Sequence, residues 1–389
     1  MTVYSNTVFH PTFCLLFTKM KIPFFDYKKY CKELPYADLV SETLSSGYLI
    51  GGPAISKFEE EIVNYTGIKH CITVGNATDA MEIIFDFLDL PKGSEVIVPA
   101  HTMIATASAA VSAGLKVKPI DVNFRYGLLT SKELSNVNLS NVSACMITQL
   151  NGICSDMDEI MNLLRSNSVP LVEDSAQGIG SFYKGTHAGG FGVGGCLSFY
   201  PAKVLGCLGD GGAIITNNDD LASYAYSVRD HGRGVDLQPL YWGRNSRLDS
   251  LNANILLTRL LNIDYYIEKR RRLASLYDNN LSALQDQGVL KLPAKHSVAS
   301  DNPSTYQNYE VLAEKSSDLM AFLKDKGIGT IRQWGGFSIA HLRNLGFNID
   351  NYPRTLDQFD RMFLLPMNHM LEEEEIIYIT QSITEFYGA

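Results

Sequence analysis

The chain lacks three things: a C-x-x-C pair, a surplus of basic residues, and an apolar run long enough to cross a bilayer. Its seven cysteines, at 14, 31, 71, 145, 154, 196 and 207, are odd in number and fit no common zinc spacing. That excludes a disulfide scaffold and a zinc module, and leaves free thiols in a reducing cytoplasm as the expectation. With 33 basic and 42 acidic residues the net charge is -9, so a general nucleic-acid binder, which needs a basic face to neutralise phosphates, is excluded. Residues 1–19 hold one short apolar stretch, Phe13 to Phe17, without a basic leader or a small-residue cleavage site. They read as an unstructured extension, and Met20 as an alternative start, because the organised pattern begins at Lys21-Ile-Pro-Phe-Phe.

What is present is an ordinary globular composition, 46% hydrophobic and 19% charged over 389 residues, enough for two domains. Ser56 to Tyr65 has apolar residues at helical spacing. His70-Cys-Ile-Thr-Val74 reads as a buried strand, and a helix follows from about Ala80 to Leu88. Glu95 to Val98 predicts a strand, Ile104 to Ala113 a helix, and Val117 to Ile120 a strand. Ala144 to Thr148, Met157 to Arg165 and Pro170 to Glu173 repeat the rhythm. Gly195 to Phe199 and Gly212 to Thr216 are two further strands across a Gly-rich loop. Alternation of this kind predicts an α/β fold, a mostly parallel sheet with helices on both faces. We expect a large domain over residues 20–260 and a smaller C-terminal α+β domain over 261–389. The latter opens with a helix from Ile267 to Leu284, whose Lys269-Arg-Arg-Arg272 run reads as a solvated face. Its other helices are expected at Ser317 to Lys326 and Glu372 to Phe386.

In such sheets ligands bind beyond the carboxyl ends of the strands. Three strand ends carry chemistry there. Val172-Glu-Asp174-Ser-Ala-Gln177 supplies a carboxylate and an amide. Ser198-Phe-Tyr-Pro-Ala-Lys203 supplies a hydroxyl and an amine. Gly75-Asn-Ala-Thr78-Asp ends a strand and opens a helix. Pyridoxal phosphate would use each part: a lysine amine to hold it as a Schiff base and move a proton, a buried carboxylate to keep the pyridine nitrogen protonated, and helix N–H groups with hydroxyls for the phosphate. Lys203, Asp174, Thr78 and Ser198 fill these places. Taken singly, each has a plainer reading. Asp174 is a helix cap, Lys203 a solvated amine, Ser198 a solvent-facing strand residue, and Gly206 to Gly212 a tight turn feeding a hairpin. The case rests on order and spacing together.

The runs Glu173-Asp-Ser-Ala-Gln177, Gly195-Cys-Leu-Ser-Phe-Tyr-Pro-Ala-Lys203-Val-Leu-Gly and Gly209-Asp-Gly-Gly212-Ala-Ile-Ile-Thr-Asn217 resemble the sugar aminotransferases of the DegT/DnrJ/StrS group. Ser46-Gly-Tyr-Leu-Ile-Gly-Gly-Pro, Phe58-Glu-Glu-Glu, Pro99-Ala-His-Thr-Met-Ile-Ala-Thr106, Arg229-Asp-His-Gly232 and Gly243-Arg-Asn-Ser-Arg-Leu-Asp249 extend the resemblance from about residue 21 onward. It implies a fold type I pyridoxal-phosphate enzyme, a cytoplasmic homodimer with sites shared across the subunit interface and no membrane or nucleic-acid partner. By position, it implies that Lys203 holds the cofactor and that Asp174 pairs with the ring nitrogen. Gln177 lies by the ring or its hydroxyl, and Ala77, Thr78 and Ser198 hold the phosphate. Asn245, read alone as a loop Asx turn, reaches the phosphate of the neighbouring subunit.

The sequence departs from the family pattern in three places. The usual Ser-Gly-Thr phosphate turn reads Asn76-Ala77-Thr78, which serves if φ at Ala77 is negative. The position that stacks on the pyridine face is Met103 in place of an aromatic residue, with His101 as another stacking candidate. Ile331-Arg-Gln-Trp-Gly-Gly-Phe337 replaces a His-Tyr-Pro-like stretch that often shapes the substrate pocket. The implied reaction moves an amino group from L-glutamate through pyridoxamine phosphate to a keto group of a nucleotide-linked sugar, with a lean to carbon 3 over carbon 4. Arg229, Arg247 and Arg332 are candidates to bind a carboxylate or diphosphate, and His231 is a further substrate candidate. The alternatives are a sugar dehydratase, a transaminase of a small keto compound, or a cofactor-binding regulator without turnover.

Overall fold

The structure, a computed structural model, describes residues 20–124, 127–295 and 303–388. The expected extension over 1–19, apart from Met20 at its edge, lies outside the described residues. The main sheet comprises β1 (His70–Val74), β2 (Glu95–Pro99), β3 (Lys116–Ile120), β4 (Val142–Thr148), β5 (Leu171–Asp174), β8 (Gly194–Ser198) and β9 (Gly212–Thr216). A short ribbon, β6 (Phe182–Tyr183) and β7 (Thr186–His187), stands apart from it. The strand order is β1-β9-β8-β5-β4-β2-β3, and β9 alone runs against the others.

The strands form where the sequence is apolar on both faces: β1, β2, β5 and β9 are buried along most or all of their length. The helix Ala77–Leu88 buries Ala80, Met81, Ile83, Ile84 and Phe85 against Ile72, Val74, Val172 and Ile214 of the sheet. Each large apolar side chain so buried contributes about 1.5–3 kcal/mol. This helix starts three residues before the predicted Ala80. The reason is local: the Asn76 side chain accepts from the Asp79 N–H at 2.9 Å and makes Ala77 the first helical residue.

A second sheet, β10 (Leu290–Lys291), β11 (Tyr309–Ala313) and β12 (Met362–Leu365), is antiparallel in the order β10-β11-β12. Helices Ile263–Asp286, Ser316–Asp325 and Glu373–Tyr387 cover it, with Leu273, Tyr277, Leu319, Phe363 and Ile379 in one core.

The solvated-face reading of Lys269 to Arg272 fails at one position. Arg270 is 1% exposed, and its Nη1 donates to the carbonyls of Tyr306, Gln307 and Met367 at 2.9, 3.4 and 3.1 Å. Helical periodicity explains it, because residue 270 shares a face with Tyr266, Ile267, Leu273, Ala274 and Tyr277, all buried. The carbonyls it binds come from the segment entering β11 and the segment leaving β12, and Arg270 ties both to the long helix.

Candidate active site

Because the main strands run parallel, the ends of β1, β2, β4, β5 and β8 reach one edge, and β9 begins there. A cavity of about 500 Å³ opens at that edge. Its lining brings together Ala77, Thr78, Met103, Asp174, Gln177, Ser198 and Lys203. The remaining candidates sit elsewhere. His101 is fully buried behind the wall, edge-on to Trp334 and Phe359 at 5.4 and 5.1 Å. Arg229 is spent on Glu59 Oε1 at 2.6 Å and on the Thr73 carbonyl and hydroxyl. Arg247 pairs with Asp230 at 2.7 Å. Arg332 donates to the carbonyls of Phe359 and Met362 and to the Ser316 and Ser317 hydroxyls. His231 and Asn245 lie in an exposed loop, where Asp230 and Asn245 form an isolated bridge.

Strand alternation separates two neighbouring carboxylates. Glu173 is fully buried and accepts from Gln149 Nε2 and from the N–H groups of Gly189, Phe191 and Gly192, all at 2.8–3.0 Å. Burial pushes its carboxyl up, and those four donors pull it back. It fastens the 189–192 loop. Asp174 lines the cavity. Its Oδ2 accepts from the Thr106 hydroxyl at 2.6 Å and its Oδ1 from the Ala176 N–H at 3.2 Å. Behind Thr106 a hydroxyl chain continues through Thr102 to Thr148 at 2.7 and 2.8 Å.

The Gly-rich loop is no tight turn. It spans residues 199–211 between antiparallel β8 and β9 and folds back on itself through Phe199 N to Gly211 O and Cys207 N to Phe199 O, both 2.8 Å. Phe199, Val204, Leu205 and Cys207 are buried and anchor it. Lys203 sits between these anchors, and Gln307 grips both of its neighbours. The Gln307 Oε1 accepts from the Val204 N–H at 2.9 Å, and its Nε2 donates to the Ala202 carbonyl at 3.1 Å. Among the described residues the Lys203 amine makes no hydrogen bond, and burial lowers it from the ordinary 10.5 to about 8, against the upward pull of Asp174.

The opening of the Ala77–Leu88 helix leaves the Ala77 and Thr78 N–H groups without helical partners. Ala77 is helical with negative φ, as the Ala-for-Gly turn requires. Gly212 lets β9 pass beneath: a Cβ there would lie 2.5 Å from the Asn76 carbonyl carbon and 2.6 Å from Ala77 N. A free amine, a buried carboxylate and a helix N-terminus beside a serine hydroxyl are the parts that pyridoxal phosphate requires, so the residues fit that group.

The lowered amine makes a pH prediction. Capture of pyridoxal phosphate needs the neutral amine, whose fraction grows about tenfold per pH unit below its pKa. The capture rate of the cofactor-free chain, followed by absorbance, is therefore expected to climb up to about pH 8 and then level. The same shift gives Lys203 a contribution to stability that grows as pH rises from about 8 to 10.5, because the unfolded chain then binds more protons. A capture profile still climbing at pH 10 would contradict the lowered amine.

Sequence reading did not single out Thr102, Thr106, Thr148, Gln307, Asn308 or Gln333. The Pro99 to Thr106 run and the Ile331 to Phe337 stretch carried a signal without a role for these residues, and Gln307 and Asn308 carried none.

Comparison with known proteins places the chain among aminotransferases. A family model described as DegT/DnrJ/EryC1/StrS aminotransferase family matches residues 33–384. The pleiotropic regulatory protein of Geobacillus stearothermophilus is 31% identical over 374 residues, 95% of this chain and 99% of the relative. The UDP-2-acetamido-2-deoxy-3-oxo-D-glucuronate aminotransferase of Pseudomonas aeruginosa is 34% identical over 291 residues, 75% of this chain and 79% of the relative. The solved structure of S. venezuelae DesV in complex with a ketimine intermediate superposes with a TM-score of 0.88 at 28% identity, covering 95% of this chain and 99% of that one.

Proposed function

Since the chain belongs to the DegT/DnrJ/EryC1/StrS aminotransferase family, we propose that it moves an amino group from L-glutamate to a keto group of a nucleotide-linked sugar. It is a pyridoxal-phosphate-dependent aminotransferase. The observation that carries the reading is the convergence of Lys203, Asp174, Ser198 and the Ala77–Thr78 helix start on one cavity. Relatives that aminate nucleotide sugars support the substrate class. The 3-oxo sugar in the name of the P. aeruginosa relative favours carbon 3.

When bound, pyridoxal phosphate supplies an electron sink for the bonds made and broken at the amine-bearing carbon. The chain supplies position, charge and a proton carrier. Lys203 would hold the cofactor and would carry the proton between the carbons that exchange it, and an amine near 8 can both take and give a proton at neutral pH. Asp174 would pair with the ring nitrogen and keep that nitrogen protonated, with Thr106 fixing one carboxylate oxygen. The Ala77 and Thr78 N–H groups and the Ser198 hydroxyl would hold the phosphate. Gln177 would offer its Nε2 to the ring hydroxyl, because its Oε1 is taken by the Asn151 N–H at 2.9 Å. Met103, half-exposed at the cavity, would pack on the ring face.

In the homodimer we propose, Asn245 of one protomer reaches the phosphate in the other. The loop carrying it supports this, since Val235, Leu237, Leu240 and Trp242 around it are apolar and exposed. Among the described residues no helix is long and apolar enough to cross a membrane and all six cysteines are free, which supports a cytoplasmic location.

The test is an absorbance spectrum of the protein with pyridoxal phosphate before and after L-glutamate. The expected result is a visible band of lysine-bound cofactor that L-glutamate converts to a shorter-wavelength pyridoxamine phosphate band. A band that forms but ignores every amino donor would favour a regulator, the reading that the name of the G. stearothermophilus relative suggests. Failure to form the band would remove the central claim.

A further inference from the structure

The helix Ala77–Leu88 carries acids at Asp79, Glu82 and Asp86. That spacing puts all three on one face, turned from Ala80, Met81 and Ile84, which are buried against the sheet. The acidic face receives the two residues that flank Asn245. Arg244 pairs through Nη1 with Glu82 and through Nη2 with Asp86, the latter at 2.5 Å. Ser246 is 2% exposed; its hydroxyl accepts from the Gly75 N–H at 2.9 Å and donates to Asp79 Oδ2 at 2.5 Å. The approach is close: a Cβ on Gly75 would stand 3.3 Å from that hydroxyl and 3.4 Å from that carboxylate.

The chain is extended here, since Asn245 bridges to Asp230, with Ser246 N donating to Arg229 O and His231 N to Arg244 O, both at 2.9 Å. Successive side chains of an extended chain point to opposite sides. Burial follows that alternation: Arg244 is half-buried, Asn245 exposed and Ser246 buried. With both neighbours drawn onto the helix of its own chain, Asn245 is turned away from that helix. The helix start has supports besides Ser246. The Asn76 side chain caps it through the Asp79 N–H at 2.9 Å, and the strand leading into it pairs with β9 through Val74 and Gly212.

We propose that Ser246 and Arg244 are positioning residues that act on the neighbouring site: they fix Asn245 on the outer side of one protomer's helix so that its amide meets the phosphate bound by the other. The inference rests on the homodimer reading above and deepens it. One helix then serves two sites, its own through the Ala77 and Thr78 N–H groups and the neighbouring one through the clamp on its acidic face. The physical reason is order. A loop amide that becomes ordered only on binding gives back part of its hydrogen bond as lost freedom, whereas an amide already clamped does not.

The test uses full-length mixed dimers, made by co-expressing two differently tagged chains and purified through both tags. One chain of each pair carries Lys203→Ala, so the visible band of lysine-bound cofactor reports the other chain's site alone. Titration of that band gives the affinity for pyridoxal phosphate and, separately, for pyridoxal, which lacks the phosphate. When Ser246→Ala is on the Lys203→Ala chain, the intact chain's site is expected to bind pyridoxal phosphate about tenfold more weakly than in the pair without it, and pyridoxal equally well. When Ser246→Ala is on the chain that keeps Lys203, the affinity should stay within about twofold. The reverse pattern overturns the proposal, because Ser246 then serves its own site. Equal weakening of pyridoxal and its phosphate also overturns it, as the mark of a merely structural clamp. If Ser246→Ala yields no dimer, Arg244→Gln takes its place in the same two pairs with the same expectations. Asn245→Ala on the Lys203→Ala chain separates the two levels. If it weakens the intact site and Ser246→Ala there does not, the clamp alone fails; if it has no effect, the shared-site reading fails and the proposal with it.

Discussion

Replacing Lys203 with alanine is expected to leave a folded chain that still takes up pyridoxal phosphate but turns over at least about 10⁴-fold more slowly. The fold should survive because the loop around residue 203 is held by others: Phe199, Val204, Leu205 and Cys207 are buried, and the Gln307 bonds go to the backbone on either side. Removing an amine that burial disfavours in its charged form costs the fold little. Two measurements check this. The visible band of lysine-bound cofactor should be missing, and single-turnover conversion by L-glutamate should recover in part when a small primary amine is added, since the amine replaces a missing proton carrier. A variant within about tenfold of wild type would show that another group moves the proton.

The second large effect is expected at Asp174. Asp174→Asn keeps the shape, and the new Oδ1 can still accept from Thr106, but the negative charge that we propose pairs with the ring nitrogen is gone. Loss of one such electrostatic partner at a reacting centre costs about 10²–10³ in rate, and both half-reactions should slow together because both use the same ring. A second readout separates this from general damage. Asp174 pulls the Lys203 amine upward, so its neutralisation should move the levelling point of cofactor capture below the wild-type value of about pH 8. A variant with normal rates, or a capture profile shifted to higher pH, would remove Asp174 from its role.

Asp174 and Ser198 were the most legible part of the site, and the reason is their place on the sheet. Asp174 and Ser198 stand at strand ends whose apolar runs announce themselves, and parallel order alone sends both to one edge. The Asn76 turn was legible for the same reason. Side chains that act through tertiary contact were not. Thr106 lies in an Ala-rich helix of small residues, and nothing in its neighbourhood shows that its hydroxyl meets a carboxylate 68 positions away. Arg270 was misread because a basic run on a helix says nothing about which of its members faces inward. Asn308 stands just before a short strand and Gln333 opens a 3-10 turn, so neither sits in a periodic element that would place it at the cavity. The three arginines and His231, chosen as substrate contacts, and His101, chosen to stack, were selected by chemistry without topology, and the structure sets all five away from the cavity lining.

The grip of Gln307 on the carbonyl before Lys203 and the N–H after it has a mechanical meaning. The amine belongs to the long loop of the main sheet, yet its backbone is tethered by the segment that leads into the antiparallel sheet. Any rocking of the smaller sheet body would therefore be felt by the reacting nitrogen as a change of reach, without any residue of the cavity being altered. Drift in the sequence of the last hundred residues could retune the distance and timing of proton delivery while the residues that carry the chemistry remain the same.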